Sequence, residues 1–143
     1  MSFIYQKIIK YPLSSLCIVT IWVLSLANMP ETDFDNIEFA DKWVHFIMYG
    51  GTCSVIWIEY SLKHSVFSAS RLFLFAWLLP VLMGGLLELL QAYCTTTRSG
   101  DWIDFLANSV GVTLAAIVMI PLSFCIKRIV LKKQNVRERQ KNI

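Results

Sequence analysis

Charged residues are scarce in this sequence, since only 16% of its 143 residues are Asp, Glu, Lys or Arg, whereas 56% are hydrophobic. A soluble domain of this size carries more charge and has shorter apolar runs. The alternation of polar and apolar residues that marks a membrane β-barrel is also absent from the sequence. These absences exclude an ordinary soluble domain and favour a helical integral membrane protein.

Motifs of familiar chemistry are missing as well. The four cysteines include no C-x-x-C spacing, so zinc or thiol redox chemistry is not indicated and packing is their expected role. No hydrolase or transferase motif is recognised, and no serine or cysteine stands among the polar residues described below as a nucleophile. The sequence therefore assigns no catalytic residue and no metal ligand, and it identifies no cofactor.

Four apolar stretches are long enough to cross a bilayer as helices, which takes about 20 residues each. The fold prediction is an all-α, four-helix transmembrane bundle with short loops, because open sheet edges are not tolerated in lipid. We interpret the first stretch as a retained helix rather than a cleaved signal peptide, because its apolar run exceeds a typical signal core. The stretches are residues 12–27, 43–62, 72–93 and 103–126.

The distribution of lysine and arginine predicts the orientation of this bundle. Both termini and the loop at residues 63–71, placed on one side, collect most of the basic residues, including seven between Lys127 and Lys141. The opposite side keeps only Lys42 and Arg98. We therefore expect an N-in, C-in arrangement with both termini in the cytoplasm.

The basic C-terminal segment is expected to be a separate part of the chain. Residues 1–126 are predicted to form one transmembrane domain, and residues 127–143 a cytoplasmic tail. Juxtamembrane basic residues fix topology and contact anionic lipid headgroups. The tail therefore predicts a lipid surface, not nucleic acid, as its partner.

Polar residues recur at helical spacing in the last three predicted spans, near the extracytoplasmic end of each. Ionisable groups at membrane depth are costly and usually face the bundle interior. Their common depth therefore predicts a ligand-binding site. The candidate residues are Asp41, Lys42, His45, Tyr49, Glu88, Gln91, Arg98, Asp101, Asp104 and Asn108.

Three further expectations concern local structure. Asp41 is expected to be the N-cap of the second helix. Gly84 lies one turn from Glu88 and is expected to permit close helix approach. Glu59 and Lys63 are expected to form an ordinary surface pair near the opposite helix end.

The polar residues resemble the signature of the VanZ-like family of membrane proteins, over residues 12–126. Ala115 stands where relatives often have a second glycine, which indicates altered helix packing. The resemblance implies a multi-pass protein of the bacterial cytoplasmic (inner) membrane. The family's namesake is associated with resistance to the glycopeptide teicoplanin, and no reaction is established for the family. The motifs are Asp41-Lys42-x-x-His45-x-x-x-Tyr49, Gly84-x-x-x-Glu88-x-x-Gln91, and Arg98 followed by Asp101, Asp104, Asn108 and Gly111.

The expected function is the binding or handling of an anionic lipid-linked or cell-wall-related ligand at a site facing the outer leaflet. Lys42 and Arg98 would meet an anionic headgroup. The carboxylates outnumber these cations, which counts against phosphate unless a divalent ion bridges the two. The expected partners are the lipid bilayer and a lipid-linked envelope precursor or a glycopeptide, and the oligomeric state is not determined.

Three alternatives stay open. A membrane enzyme would use Glu88 as a general acid or base, and His45 with Asp41 or Asp104 to orient a water or bind a metal. An ion-coupled transporter is disfavoured because the polar groups lie on one side of the membrane. A scaffold protein would use the polar residues to hold three helices together.

Overall fold

The structure, a computed structural model, describes residues 9–27, 39–64, 66–94 and 100–141. Within these residues the chain forms four helices and no strand. The all-α prediction is therefore confirmed.

The four helices follow the four predicted stretches in order. Helix α1 covers Pro12–Leu26, and helix α2 covers Ala40–Lys63. Helix α3 covers Ala69–Cys94 and includes a π-helical turn at Phe73–Leu78. Helix α4 covers Trp102–Lys141 as one uninterrupted helix.

Local sequence explains the starts of α1 and α3 and the irregular turn in α3. Pro12 occupies the first turn of α1, where its missing N–H is not needed. Ser68 Oγ accepts the N–H of Arg71 at 3.4 Å at the start of α3. The π-helical turn ends at Leu78, two residues before Pro80. Proline lacks the N–H that an α-helix needs, so it interrupts the α-helical hydrogen bonding.

The starts of α2 and α4 differ in how they are capped. Asp101 Oδ1 accepts the N–H of Ile103 at 2.9 Å and caps α4. The expectation that Asp41 caps α2 is wrong, because Phe39 holds the cap position with a left-handed backbone (φ 65°) and no side-chain hydrogen bond. Asp41 lies in the first turn instead, where its charge still suits the positive end of the helix dipole.

Contacts between helix ends fix the directions of the helices. Asp101, at the start of α4, contacts Lys42 near the start of α2 and Glu88 near the end of α3. Gln91 near the end of α3 donates to the carbonyl of Ser25 near the end of α1 at 2.8 Å. The helices therefore alternate in direction, and α1 and α3 end where α2 and α4 begin. We call this end of the bundle the polar end.

Two of the helices are long and apolar enough to cross a membrane, namely α3 and the segment Trp102–Gln140 of α4. Helix α1 is apolar but shorter, with 15 described residues. Helix α2 has 24 residues, but its polar stripe lowers its mean hydropathy. The four-span arrangement and its N-in, C-in orientation therefore stay predictions.

Helices α2 and α4 make the most extensive helix contact of the described structure. A Cβ on Gly111 would overlap the carbonyl oxygen of Phe46, a backbone atom that cannot rotate away. A Cβ on Gly50 would lie 3.0 Å from the carbonyl oxygen of Gly111. Small residues thus let the two backbones touch, which brings the first turns of α2 and α4 together at the polar end.

Helix α1 is held to α2 by a side chain that the sequence analysis placed on the surface. Glu59 and Lys63 do pair, at 3.5 Å, but Glu59 is only 5% exposed. Its carboxylate accepts the Ser14 N–H at 2.9 Å, the Ser14 hydroxyl at 2.6 Å and the Leu13 N–H at 3.3 Å. These N–H groups have no partner within the first turn of a helix, so Glu59 anchors the start of α1.

The basic tail continues α4 without a break at residue 126. With 40 residues, α4 is about 60 Å long, roughly twice the thickness of a bilayer core. Most of its large apolar side chains before residue 125 are exposed, and its charged residues Lys127, Arg128, Lys132 and Lys133 follow. The tail is therefore helical as far as Lys141, and residues 142–143 lie outside the described residues.

Candidate functional site

Most of the predicted site residues meet at the polar end, contributed by three helices. Helix α2 supplies three of them and helix α4 supplies two, while Glu88 comes from α3 and one aspartate precedes α4. We call this group the polar cluster. Its members are Asp41, Lys42, His45, Glu88, Asp101, Asp104 and Asn108.

Lys42 stands between the aspartates of the cluster. Its Nζ atom lies 2.9 Å from Asp101 Oδ2, 2.8 Å from Asp104 Oδ1 and 3.7 Å from Asp41 Oδ2. The side chain of Lys42 remains 24% exposed. Its charge is therefore already paired with carboxylates, although it is still within reach of a ligand.

His45 faces two of these three aspartates, Asp41 and Asp104, from another side. Its Nε2 atom lies 3.6 Å from Asp41 Oδ1 and 4.0 Å from Asp104 Oδ2. Its Nδ1 atom lies 3.1 Å from Oδ1 of Asn108, a fully buried residue. Since a carboxamide oxygen can only accept, Nδ1 is the donor in this bond, and Nε2 is directed at the carboxylates.

Glu88 is bound to the connection that leads into α4. It is 5% exposed, and its Oε2 atom accepts the backbone N–H of Asp101 at 3.1 Å. This bond requires Gly100, because a Cβ there would overlap the carbonyl oxygen of Glu88. Gly100 therefore lets the start of α4 approach the end of α3.

The electrostatics of Asp101 follow from its two partners. The hydrogen bond from the Ile103 N–H, together with the Lys42 ammonium, holds the pKa of the Asp101 carboxyl below its usual value. Asp101 is therefore ionised at neutral pH, as its roles in capping α4 and pairing with Lys42 require.

Two of the predicted site residues that the structure describes lie outside the cluster. Gln91 donates to the Ser25 carbonyl on α1, which gives it a role in joining helices. Tyr49 is 1% exposed and packs against Gly84, which also contacts Asn108, so the prediction that Gly84 permits close approach is confirmed. Arg98 lies outside the described residues.

The sequence analysis missed Gly100 and Ser25 as parts of this end of the molecule. The role of Gly100 depends on a backbone approach to Glu88, and that of Ser25 on its carbonyl group. Backbone atoms carry no side-chain signature, and the only sequence signal for either residue is that Ser99-Gly100-Asp101 is typical of a turn.

Negative charge dominates the polar cluster. Its four carboxylates, Asp41, Glu88, Asp101 and Asp104, face one lysine and one histidine. Three of its residues offer donor atoms that all lie within 4.8 Å of one another, which suits a metal ion: Asp41, His45 and Asp104. The arrangement can therefore bind cations, hydroxyl groups or amides. Among the residues that the structure describes here, an anion would have to bind through Lys42 or through a metal.

A small pocket reaches the cluster from the side of α3. Its volume is about 80 Å³, and it is bordered by Glu88, Tyr93, Gly100, Asp101 and Trp102, among others. This volume holds about two water molecules. Glu88 is therefore adjacent to a cavity although its side chain is buried.

Comparison of this chain with known proteins finds no matching family model, no matching curated protein and no matching solved structure. The resemblance to the VanZ-like family therefore stays a prediction that rests on the motifs quoted above.

Proposed function

We propose that this chain is a VanZ-like integral membrane protein of the bacterial cell envelope that binds or handles a lipid-linked or cell-wall-related ligand. The polar cluster would be its binding site and would face the outer leaflet of the cytoplasmic membrane. The proposal includes an anionic headgroup on the ligand. It also includes a relation to glycopeptide (teicoplanin) resistance, which the resemblance to the family implies.

The convergence of the polar cluster carries the proposal. Side chains from three helices meet at one end of the bundle, and Glu88, Asp104 and Asn108 are each at most 5% exposed. Polar contacts between membrane helices stabilise by only about 0.6 kcal/mol on average. Helix association alone is therefore a weak reason to bury two carboxylates and a carboxamide, and a ligand is a stronger one.

The exterior of the helices supports a membrane setting. Leu16, Val19 and Val23 of α1 are 62%, 58% and 58% exposed, and Ile117 and Val118 of α4 are 59% and 61% exposed. Soluble proteins rarely expose apolar surface on this scale, whereas lipid covers it in a membrane. The tail of α4, with its exposed basic residues, would then lie on the cytoplasmic side.

The charges in the cluster limit the chemistry of the ligand. Lys42 is paired with Asp101 and Asp104, so its ammonium is not a free anion site. Hydroxyl and amide groups, as in sugars and peptides, suit the carboxylates and Asn108 directly. A phosphate would need Lys42 to exchange partners, or a metal ion to bridge it to the aspartates.

A scaffold is the second candidate function, and one observation favours it. Glu88 accepts the Asp101 N–H, and Gln91 donates to the Ser25 carbonyl, so both side chains serve contacts within the protein. If the whole cluster were structural, its loss would reduce folding and affect no ligand.

Native mass spectrometry of the protein extracted with its own lipids tests the proposal. We would compare the wild type with Glu88→Gln, Lys42→Gln and Arg98→Ala, and use Glu138→Gln, at an exposed carboxylate in the distant tail, as the control. The amide oxygen of glutamine can still accept the Asp101 N–H, so Glu88→Gln is expected to remain folded. We expect a polyprenyl-linked or anionic lipid to stay on the wild type and the control. The retained amount should fall at least tenfold in the other three variants.

The other outcomes are equally informative. If no specific lipid is retained and the cluster variants lose their far-UV circular dichroism or elute as aggregates, the scaffold function replaces the proposal. If the wild type chemically converts the lipid and Glu88→Gln binds it without conversion, the protein is an enzyme rather than a binder.

A further inference from the structure

Two of the three carboxylates that pair with Lys42 present their other oxygens to His45. Lys42 contacts Asp41 Oδ2 and Asp104 Oδ1, whereas His45 Nε2 faces Asp41 Oδ1 and Asp104 Oδ2. The lysine and the histidine therefore do not compete for the same atoms. This leaves one group of three donor atoms, two carboxylate oxygens and one imidazole nitrogen, next to the lysine ammonium.

The spacing of these atoms is unsuited to hydrogen bonds but close to that around a metal. At 3.6 and 4.0 Å from the carboxylate oxygens, His45 Nε2 lies beyond the usual range for a hydrogen bond. Ligands at about 2.0–2.1 Å from a tetrahedral Zn²⁺ lie roughly 3.3 Å apart from one another. The two distances exceed this spacing by about 0.3 and 0.7 Å, and the three residues offer donor atoms that lie within 4.8 Å of one another, so contractions of up to about 1.5 Å would bring them to it.

The buried partners of the group provide an independent reason to expect a ligand. Asp104 is 5% exposed, and its Oδ1 atom is paired with Lys42 at 2.8 Å, which leaves Oδ2 facing His45. Asn108 is fully buried, and its Oδ1 atom accepts the hydrogen bond from His45 Nδ1. Its Nδ2 atom has no hydrogen-bond partner among the described residues. A histidine that donates from Nδ1 to such an acceptor has its Nε2 lone pair oriented for a metal.

We propose that Asp41, His45 and Asp104 form a binding site for a divalent transition-metal ion such as Zn²⁺. Mixed imidazole and carboxylate ligands favour such an ion over Mg²⁺ or Ca²⁺, which prefer oxygen ligands alone. Three protein ligands leave a fourth position open. This position would take an oxygen of the headgroup, a step that rests on the proposed function, and Lys42 stands beside it.

Zinc titration of the purified protein tests the metal site directly. All four cysteines are replaced beforehand, because the exposed thiols of Cys94 and Cys125 would bind Zn²⁺ themselves, and His64→Gln removes the histidine at the other end of α2. After treatment with a chelator, isothermal titration in detergent is expected to give one Zn²⁺ per chain. Visible absorption of the Co²⁺-loaded protein is expected to show the intense bands of a four-coordinate ion.

The variants distinguish metal ligation from simple attraction to negative charge. His45→Gln and Asp104→Asn are expected to weaken Zn²⁺ binding at least tenfold and to abolish the Co²⁺ bands. Glu138→Gln, the control, removes an equal charge from an exposed position in the distant tail, and is expected to change the affinity less than threefold. Far-UV circular dichroism establishes that each variant is folded.

Two results would overturn the metal site. The first is wild-type protein that binds no stoichiometric Zn²⁺. The second is folded His45→Gln protein that binds Zn²⁺ as tightly as the wild type.

Lipid retention by chelated and Zn²⁺-loaded protein separates this inference from the proposed function. Lipid that is retained equally without metal would refute the metal bridge and leave the proposed function intact. Zn²⁺ bound through His45 in a protein that retains no lipid would support the metal site and refute the proposed function.

Discussion

At the residue scale, the polar cluster shows how one aspartate can serve three neighbouring helices. Asp101 caps α4 through Ile103, pairs with Lys42 of α2, and donates its backbone N–H to Glu88 of α3. Each of these contacts uses a different atom of Asp101. The residue therefore couples the start of α4 to the geometry of the whole cluster.

Replacement of Asp101 should separate its cap from its charge. Asparagine caps a helix about as well as aspartate, so Asp101→Asn loses the ion pair alone, whereas Asp101→Ala also loses the cap. We expect Asp101→Ala to be less stable than Asp101→Asn by about 1 kcal/mol. Thermal unfolding in detergent micelles, followed by circular dichroism, measures the difference, and equal stability of the two variants would contradict the capping role.

The pH dependence of stability in the same two variants reports on the charge of Asp101. Because the folded protein holds the pKa of Asp101 below its usual value, the wild type binds fewer protons at this site than the unfolded chain does. The stability that results is present above about pH 4 and is lost as the pH falls through the lower folded pKa. Neither variant has a carboxyl group at position 101, so both should lack this loss of stability when thermal unfolding is repeated at acidic pH.

At the element scale, close packing of α2 on α4 positions the cluster. Gly111 and Gly50 allow backbone contact one to two turns below His45 and Asp104, so the first turns of both helices are held side by side. Glu59 plays a comparable role for α1 at the opposite end, where it binds the first N–H groups of that helix. These contacts make the cluster a product of helix packing.

Gly111→Ala should disturb this packing, because its Cβ would overlap the Phe46 carbonyl oxygen and force the helices apart. We expect a loss of about 1–3 kcal/mol, as in other overpacked interiors. Gly51→Ala is the matched control, since a Cβ there meets nothing within 4 Å and alanine favours a helix by up to about 1 kcal/mol. Unfolding of both variants in micelles measures their stabilities. A similar change in stability for the two variants would contradict the overlap at Gly111.

At the scale of the whole molecule, the alternating helix directions place the cluster at one end and the tail of α4 at the other. Phe67, in the connection between α2 and α3, packs on Phe124 of α4 at a ring distance of 5.5 Å, far from the cluster. The two ends also differ in charge, since carboxylates dominate one and basic residues the other. In a membrane this difference would orient the protein.

Cysteine labelling tests that orientation. A variant that keeps only Cys94, exposed at the polar end of α3, is compared with a cysteine-free variant that carries Ser70→Cys at the start of α3. We expect a membrane-impermeant maleimide to label Cys94 in intact spheroplasts and the Ser70→Cys variant only after lysis. The reverse pattern would mean that the polar cluster faces the cytoplasm.

The fold could be predicted in outline because its signals are local. Long apolar runs are properties of short stretches of the chain, and the four predicted helices and their order followed from them. The cap at Asp41 was predicted wrongly because the backbone of Phe39, rather than the preference of an aspartate, decided where α2 begins. The number of spans and their orientation are still sequence predictions.

The sequence by itself determined that polar residues occupy one end of three helices, because helical spacing alone places Asp41 with His45 and Asp104 with Asn108. Only the tertiary structure decided which atoms meet. Glu88 accepts the Asp101 N–H, Glu59 accepts the Ser14 N–H of α1, and Gln91 donates to the Ser25 carbonyl. Each of these partners is a backbone group that is distant in the chain or across the bundle. Residue types set the chemistry available at the polar end, whereas the packing of α2 against α4 set which donors share a site.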